Sequence, residues 1–411
     1  MIPLTLGEVA ELCPGRLTAS ADADRVTGVQ VDSRLVVPGD LFVAVNAIGA
    51  RFADDAMQSG AAAALVPDDG FAALAALGRA IRDRSSARVV GITGSAGKTS
   101  TKDILAAICR PGARTVAADA SLNNEIGVPL TLSRIEPDTE VCILELAMRG
   151  PGQIAELCAF ARPGVGVITT IGAAHVEQLG SIEAVARAKS ELVEALPPLG
   201  TAIVPADLAV ARGDVTVIRL AEPEARVEDA RTLILWDGRE ISFDFTARHQ
   251  ARNALAALHA ARAVGVEPED TVDVAFSKWR GEEVPLAGGG LLVNDAYNAN
   301  PLSMRAALEH LVGQAGGGRT VAILGEMAEL GADAPRYHEQ IGKAARNLGV
   351  DVVIGVGELA RAYEPDDWCA DAAAAIGMAR TVIHPGDHVL VKGSRAAGLE
   401  RVAEALATVT A

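Results

Sequence analysis

Short apolar, β-branched runs alternate along most of this chain with stretches whose apolar residues recur at helical spacing. Arg88-Val-Val-Gly-Ile-Thr93, Val141-Cys-Ile-Leu144, Val165-Gly-Val-Ile-Thr169 and Thr201-Ala-Ile-Val204 read as strands. Thr101 to Ile108 places Ile104, Leu105 and Ile108 on one helical face. Such alternation predicts a parallel sheet with helices on both faces. A second α/β pattern follows, in which Val321-Ala-Ile-Leu324, Val352-Val-Ile354 and Val389-Leu-Val391 alternate with helical stretches at 303–311, 337–348 and 398–408. One hairpin interrupts the first pattern. Leu233-Ile-Leu-Trp236 and Ile241-Ser-Phe243 flank Asp237-Gly238, a favoured type I′ pair.

Residues 1–84 carry the shorter runs Leu41-Phe-Val-Ala-Val45 and Ala62-Ala-Ala-Leu-Val66 and end in the charged Arg82-Asp-Arg-Ser-Ser86. Between Glu282 and Gly290 the segment Glu-Glu-Val-Pro-Leu-Ala-Gly-Gly-Gly lacks periodicity and reads as a connector. The expected organisation is therefore a small N-terminal domain over 1–84, a central domain over 85–290 and a C-terminal domain over 291–411.

Composition narrows the function classes. A chain of 411 residues with 50% hydrophobic content has ample core for several globular domains. Its net charge of −16 argues against non-specific nucleic-acid binding, which needs clustered Lys and Arg. The N-terminus lacks a basic signal-like region, and no uncharged apolar stretch approaches the roughly 18 residues of a membrane span. The expectation is a cytoplasmic protein, and nothing requires more than a monomer. Five cysteines without a Cys-x-x-Cys pair indicate buried thiols rather than zinc or a disulfide framework.

Candidate chemistry concentrates in Gly91-Ile-Thr-Gly-Ser-Ala-Gly-Lys-Thr-Ser100, where an apolar strand feeds a glycine-rich turn that opens a helix. Backbone N–H groups around Gly94, Ser95 and Gly97 would close on phosphate oxygens, Lys98 would meet the outer phosphates, and the Thr99 hydroxyl would ligate magnesium. The spacing is irregular for a P-loop, because Ile92 stands where the first glycine belongs. Ligands of parallel sheets sit beyond the carboxyl ends of strands, and Glu145 ends one strand while His175 follows another. Magnesium prefers oxygen ligands such as a strand-end carboxylate, although Glu145 alone also fits a solvated acid and His175 alone a structural histidine.

Lys189 falls within the apolar stripe Ile182, Val185, Ala186, Leu192, Val193 and Leu196. An inward lysine has a lowered pKa and can act as a nucleophile or form a carbamate, whereas a snorkelling lysine would reach solvent; both readings stand. Asn294-Asp-Ala-Tyr-Asn-Ala-Asn-Pro301 crowds polar groups beside the connector, and Val391-Lys-Gly-Ser-Arg395 places Lys392 and Arg395 for an anion or for a surface loop.

Taken together, these segments resemble the Mur ligases, ATP-dependent amide ligases of peptidoglycan precursor synthesis. The resemblance is carried by Val31-Asp-Ser-Arg34 with Pro38-Gly-Asp-Leu-Phe-Val-Ala44, Thr93-Gly-Ser-Ala-Gly-Lys-Thr99, Asn123-Asn-Glu-Ile-Gly-Val-Pro129, Ala186-Arg-Ala-Lys-Ser-Glu191, Asp295-Ala-Tyr-Asn-Ala-Asn-Pro301, Leu324-Gly-Glu-Met-Ala-Glu-Leu-Gly331 and Val391-Lys-Gly-Ser-Arg395. The Tyr-Asn-Ala-Asn-Pro and Leu-Gly-Glu-Met-Ala-Glu-Leu-Gly segments are similar to those of the branch that adds D-alanyl-D-alanine.

The resemblance implies a small α/β N-terminal domain for the UDP-sugar end, a central P-loop-type ATPase domain and a C-terminal Rossmann-like domain that closes over the nucleotide. It implies ATP and magnesium, with UDP-N-acetylmuramoyl-tripeptide and D-alanyl-D-alanine as substrates. The tripeptide carboxylate would take the γ-phosphoryl group before the dipeptide amine attacks. By the same resemblance Lys98, Glu145, His175 and Lys189 are catalytic. Thr99 and Glu145 hold one magnesium, and His175 with carbamylated Lys189 holds a second. Nucleotide contacts fall to Gly94, Ser95, Gly97, Lys98, Thr99, Ser100, Asn253, Arg280, Asp295, Asn298 and Asn300. Substrate contacts fall to Ser33, Arg34, Asn123, Asn124, Arg149, Lys392, Ser394 and Arg395.

Departures from the family pattern are visible too. Ala247-Arg-His-Gln250 stands where Gly-x-His-Asn is usual, with His249 and Asn253 retained, and Gly49-Ala-Arg-Phe-Ala-Asp-Asp55 lacks the usual Asp-Gly-His. Two other readings stay open: a similar ligase joining a different acid and amine, and a nucleotide-driven switch without an amide product.

Overall fold

The computed structural model describes residues 1–174 and 176–408. His175, expected at the metal site, lies outside the described residues. Among them no helix is long and apolar enough to cross a membrane, and all five cysteines are buried thiols.

The central sheet has six parallel strands in the order Thr216–Leu220, Thr201–Pro205, Val165–Ile168, Arg88–Thr93, Val141–Glu145, Thr115–Ala117. Arg88–Thr93, the first strand of this unit, lies in the interior, with Ile92 opposite Glu145 and Thr93 opposite Ile168. The chain leaves that strand where the order reverses, which opens a crevice at the carboxyl ends. Helices Lys98–Cys109 and Arg248–Ala263 cover one face, and their apolar sides join Val90, Ile92, Ile143 and Val167 in one core. The hairpin Arg231–Trp236 and Arg239–Phe243 adds Ile234, Trp236, Ile241 and Phe243 to that core. Its turn residues Asp237 and Gly238 have φ of 51° and 80°, as a type I′ turn requires.

Helices Gln153–Ala161 and Ile182–Glu194 cover the other face. The N-terminal region presses on the same core through helix Gly70–Arg84, whose Leu74, Leu77 and Ile81 meet Val128, Leu132 and Cys142. The charged segment Arg82–Ser86, expected as a first boundary, begins in the last turn of this helix and runs past its end at Arg84. The N-terminal sheet itself is mixed, ordered Gly15–Ala19, Ala63–Pro67, Asp40–Val43, Gly28–Gln30.

A second six-stranded sheet runs Glu282–Pro285, Leu291–Asp295, His388–Lys392, Thr320–Gly325, Val352–Val356, Asp367–Cys369, antiparallel only at the first pair. The supposed connector 282–290 is thus an edge strand and its turn. Gly288, Gly289 and Gly290 all have positive φ, and a Cβ on Gly290 would stand 2.1 Å from the Asp387 carbonyl oxygen. Glycine-rich sequence and Pro285 hid this strand, because edge strands tolerate proline and need not alternate. Strand Glu282–Pro285 thus belongs to the second sheet, paired with Leu291–Asp295.

Candidate active site

The glycine loop owes its shape to two left-handed glycines and a pair of threonines. Gly94 (φ 151°) packs so closely on Thr169 that a Cβ would lie 1.9 Å from its hydroxyl, and at Gly97 (φ 84°) a Cβ would lie 2.4 Å from Asn253 Oδ1. Thr170 at the neighbouring strand end accepts from the Ser95 amide through its carbonyl (2.8 Å) and from the Ala96 amide through its hydroxyl (2.9 Å). Ser95 Oγ donates to the Gly172 carbonyl at 3.0 Å. Gly97 caps helix Lys98–Cys109, so the positive helix end and its free N–H groups face the same crevice.

Lys98 Nζ donates to the Gly94 carbonyl at 2.9 Å. Burial of its charged end lowers its pKa, with Glu145 and Glu329 acting in the opposite sense. Thr99 Oγ1 donates to Glu145 Oε2 at 2.7 Å, and Asn123 Nδ2 donates to Glu145 Oε1 at 2.8 Å. Glu145 is almost fully buried, so strand end, P-loop and the 118–124 loop converge on one carboxylate.

Lys189 is the inward lysine its spacing suggested, 1% exposed on helix Ile182–Glu194. Burial pushes its pKa well below the ordinary value, and the Lys98 ammonium pushes it further the same way. Snorkelling is thereby excluded.

The second sheet supplies the opposite wall. Asp295 and Lys392 pair across adjacent strands at 2.5 Å, and Lys392 Nζ also donates to the Asn298 carbonyl at 3.0 Å. Asn300 caps helix Pro301–Ala315 by accepting from the Ser303 amide, and its Nδ2 donates to the Ser95 carbonyl at 3.0 Å. Arg280 lies over the Tyr297 ring at 4.0 Å, with its Nε buried and unpaired among the described residues. Between the walls lies a cavity of about 380 Å³.

Most of the expected site residues reach this cavity: Ser95, Gly97, Lys98, Thr99, Ser100, Asn123, Glu145, Asn253, Arg280, Asp295, Asn298, Asn300 and Lys392. Lys392, expected among the substrate contacts, lines this cavity as the partner of Asp295. Others lie elsewhere. Asn124 Oδ1 accepts from the Ile126 and Gly127 amides at the start of helix Gly127–Leu132, Arg149 is exposed, and Ser394 Oγ accepts from the Ala328 amide at 2.8 Å. Arg395 lies over Trp279 and pairs with Glu400. Ser33 and the exposed Arg34 form a short turn whose cation is paired with Asp32.

Two residues noted in the sequence only as part of the Ala247–Gln250 departure, and not among the expected contacts, also contribute. Gln250 accepts from Asn253 Nδ2 at 2.7 Å and donates to Ser100 Oγ at 3.4 Å, so the departure at this position still orients Asn253. His249 lines the cavity, and burial pulls its pKa down to about 4 despite the opposing charge of Asp295. Both follow the strand-like run ending at Phe243, where helix Arg248–Ala263 starts without a side-chain cap; that open helix start was the available signal.

Fold and cleft define a class: α/β proteins in which a glycine loop on one parallel sheet faces the strand ends of another across a shared cavity. Residues 92–261 match the Mur ligase middle domain, and residues 279–395 match the Mur ligase, glutamate ligase domain. The UDP-N-acetylmuramoyl-tripeptide--D-alanyl-D-alanine ligase of Mycobacterium tuberculosis is 35% identical over 99% of this chain and 98% of its own length. The Escherichia coli protein of the same name is 34% identical over 99% of each. Among solved structures, MurF from Acinetobacter baumannii aligns with a TM-score of 0.87 at 27% identity over 99% of both chains. MurF from Thermotoga maritima in complex with ADP aligns at 0.81 and 26% identity, over 93% of this chain and 97% of that one. The chain belongs to the Mur ligase family.

Proposed function

We propose that the chain joins D-alanyl-D-alanine to UDP-N-acetylmuramoyl-tripeptide in peptidoglycan precursor synthesis, using ATP to convert the tripeptide's terminal carboxylate to an acyl phosphate. The names of the relatives support the substrates, and the ADP complex of the Thermotoga maritima neighbour supports the nucleotide. The observation that carries the reading is the cavity shared by the P-loop and the strand ends of the second sheet, bridged by Asn300 and Ser95. On this reading we take the chain to work in the cytoplasm, where ATP is. We take residues up to about 84 as the sugar-nucleotide lobe, the next unit to about 280 as the ATPase lobe, and the remainder as the closing lobe.

Carboxylates do not condense with amines in water, so activation and exclusion of water are both required. Loop amides and the helix end would hold the triphosphate, and Lys98 would leave the Gly94 carbonyl to meet the transferring phosphoryl group. Asn253, Arg280, Asp295, Asn298 and Asn300 would surround the nucleotide as the lobes close. Ser33 and Arg34 of the first lobe, with Asn124 and Arg149 of the ATPase lobe, are assigned to the sugar and peptide.

The donor set fits magnesium. Thr99 and Glu145 offer hard oxygen atoms beside the phosphate loop, and bonding to Thr99 and Asn123 already orients the carboxylate. Magnesium bound there would neutralise triphosphate charge that otherwise repels the carboxylate nucleophile. Lys189 fits a carbamate. Among the described residues no carboxylate pairs with its ammonium, and a second cation, Lys98, acts on it. A lowered pKa leaves the neutral amine that reacts with carbon dioxide, and an anion there would relieve the repulsion. With His175 it would complete a second metal site.

The test is a phosphate-release assay with mass spectrometry of the product. ATP hydrolysis that depends on both the tripeptide and the dipeptide, with the mass of one dipeptide less water added, is the expected result. Turnover of another acid and amine pair with these two inert would replace the proposal.

A further inference from the structure

Tyr297 has no part in the chemistry above, yet it bridges the two lobes. Its hydroxyl meets the Ser121 hydroxyl, and its amide donates to the Trp279 carbonyl at 3.2 Å. Ser121 stands two residues before Asn123, whose side chain donates to Glu145 and whose carbonyl accepts from the Ala147 amide at 2.8 Å. Little slack separates them. Leu122 presses on Gly127 so closely that a Cβ there would lie 2.4 Å from the Leu122 carbonyl carbon. On the other side Ala120 is left-handed, with φ of 47°. A pinned loop of this kind passes a displacement along instead of absorbing it.

We propose that Tyr297 is a positioning residue: by gripping Ser121 as the C-terminal lobe docks, it sets Asn123 and thereby orients the Glu145 carboxylate. The inference rests on the proposed function only in taking Glu145 as the metal-holding group. Docking then has two grips, Asn300 on the P-loop carbonyl of Ser95 and Tyr297 on the loop that steers Glu145. The first secures the phosphate cradle. The second reports closure to the carboxylate, so phosphoryl transfer would be favoured only in the closed, dry cleft.

Full-length protein carrying Tyr297→Phe, Ser121→Ala or both tests this grip. Tyr297→Phe keeps the ring beneath Arg280 and removes only the hydroxyl. Hydrogen exchange at amides 118–126 is followed with and without a non-hydrolysable ATP analogue and magnesium, alongside kcat, KM for ATP and Tm. In the wild type, nucleotide should protect these amides; each variant should lose that gain. Each should lower kcat by about tenfold, the scale of one hydroxyl bond, while KM for ATP stays within about twofold. The double variant should be no worse than either single one. Losses that multiply in the double variant, or unchanged nucleotide protection in Tyr297→Phe, overturn the proposal. So does a fall in Tm without the split between kcat and KM. If the wild type fails to release phosphate with the proposed substrates, the reaction assignment fails, while the exchange measurement still decides the grip.

Discussion

The nucleotide cleft and the N-terminal lobe treat their polar residues in opposite ways. In the cleft, Ser95, Thr99, Glu145, Asn253, Asn300 and Lys392 are all buried and bonded before any ligand arrives. In the N-terminal lobe, Arg34 is exposed and answered only by Asp32 on its own turn, and Leu35, Val37 and Ile48 stand open to solvent. The cleft is organised in advance, as chemistry on a transferring phosphoryl group demands. The lobe is a surface that a ligand would complete. Changes in the cleft should therefore cost turnover, and changes in the lobe should cost affinity.

The largest effect is expected from Lys98→Ala, which removes the cation proposed to meet the outer phosphates and should lower kcat by about a thousandfold in a phosphate-release assay. Lys189→Ala should do comparable damage, about a thousandfold. A short carboxylic acid supplied in solution should restore part of that activity if the side chain acts as an anion; normal turnover in the alanine variant would make Lys189 structural. Asn300→Ala loses both the helix cap and the grip on the P-loop, and should lower kcat by about tenfold to a hundredfold. Arg34→Ala should sharpen the contrast from the other side, raising KM for the UDP-linked substrate by about fivefold and leaving kcat unchanged.

The smallest effect is on pH dependence. The folded-state pKa of His249 is about 4, below its unfolded value of about 6.5. Stability from the neutral ring is then fully present above pH 6.5 and is lost as pH falls toward 4, because the unfolded chain binds the proton first. Thermal denaturation of the unliganded protein should show a shallower fall in Tm between pH 6.5 and 4 for His249→Gln than for the wild type. Parallel curves would remove His249 from the acid response.

What the sequence revealed divides along the same line. Strands Arg88–Thr93, Val141–Glu145 and Thr201–Pro205 were legible because their residues are buried on both faces, which forces apolar runs. Gly94 and Gly97 were legible because no side chain fits there. By contrast, strand Gly15–Ala19 is exposed at four of its five positions and Ala225–Glu228 at all four, so neither had an alternation to read. Lys189 stood out because a cation interrupted an apolar stripe. Ser121 and Gln250 did not, since their importance comes from partners 176 and 150 residues away. Contacts between lobes leave no local period in a sequence.

The central claim, that the cleft makes an acid electrophilic by phosphorylating it, is tested most directly by the fate of an oxygen atom. UDP-N-acetylmuramoyl-tripeptide labelled with heavy oxygen in its terminal carboxylate is incubated with ATP, D-alanyl-D-alanine and the protein, and the released phosphate is analysed by mass spectrometry. Attack of the carboxylate on the γ-phosphoryl group predicts one labelled oxygen in each phosphate formed with product. Amide formation with unlabelled phosphate would contradict the account.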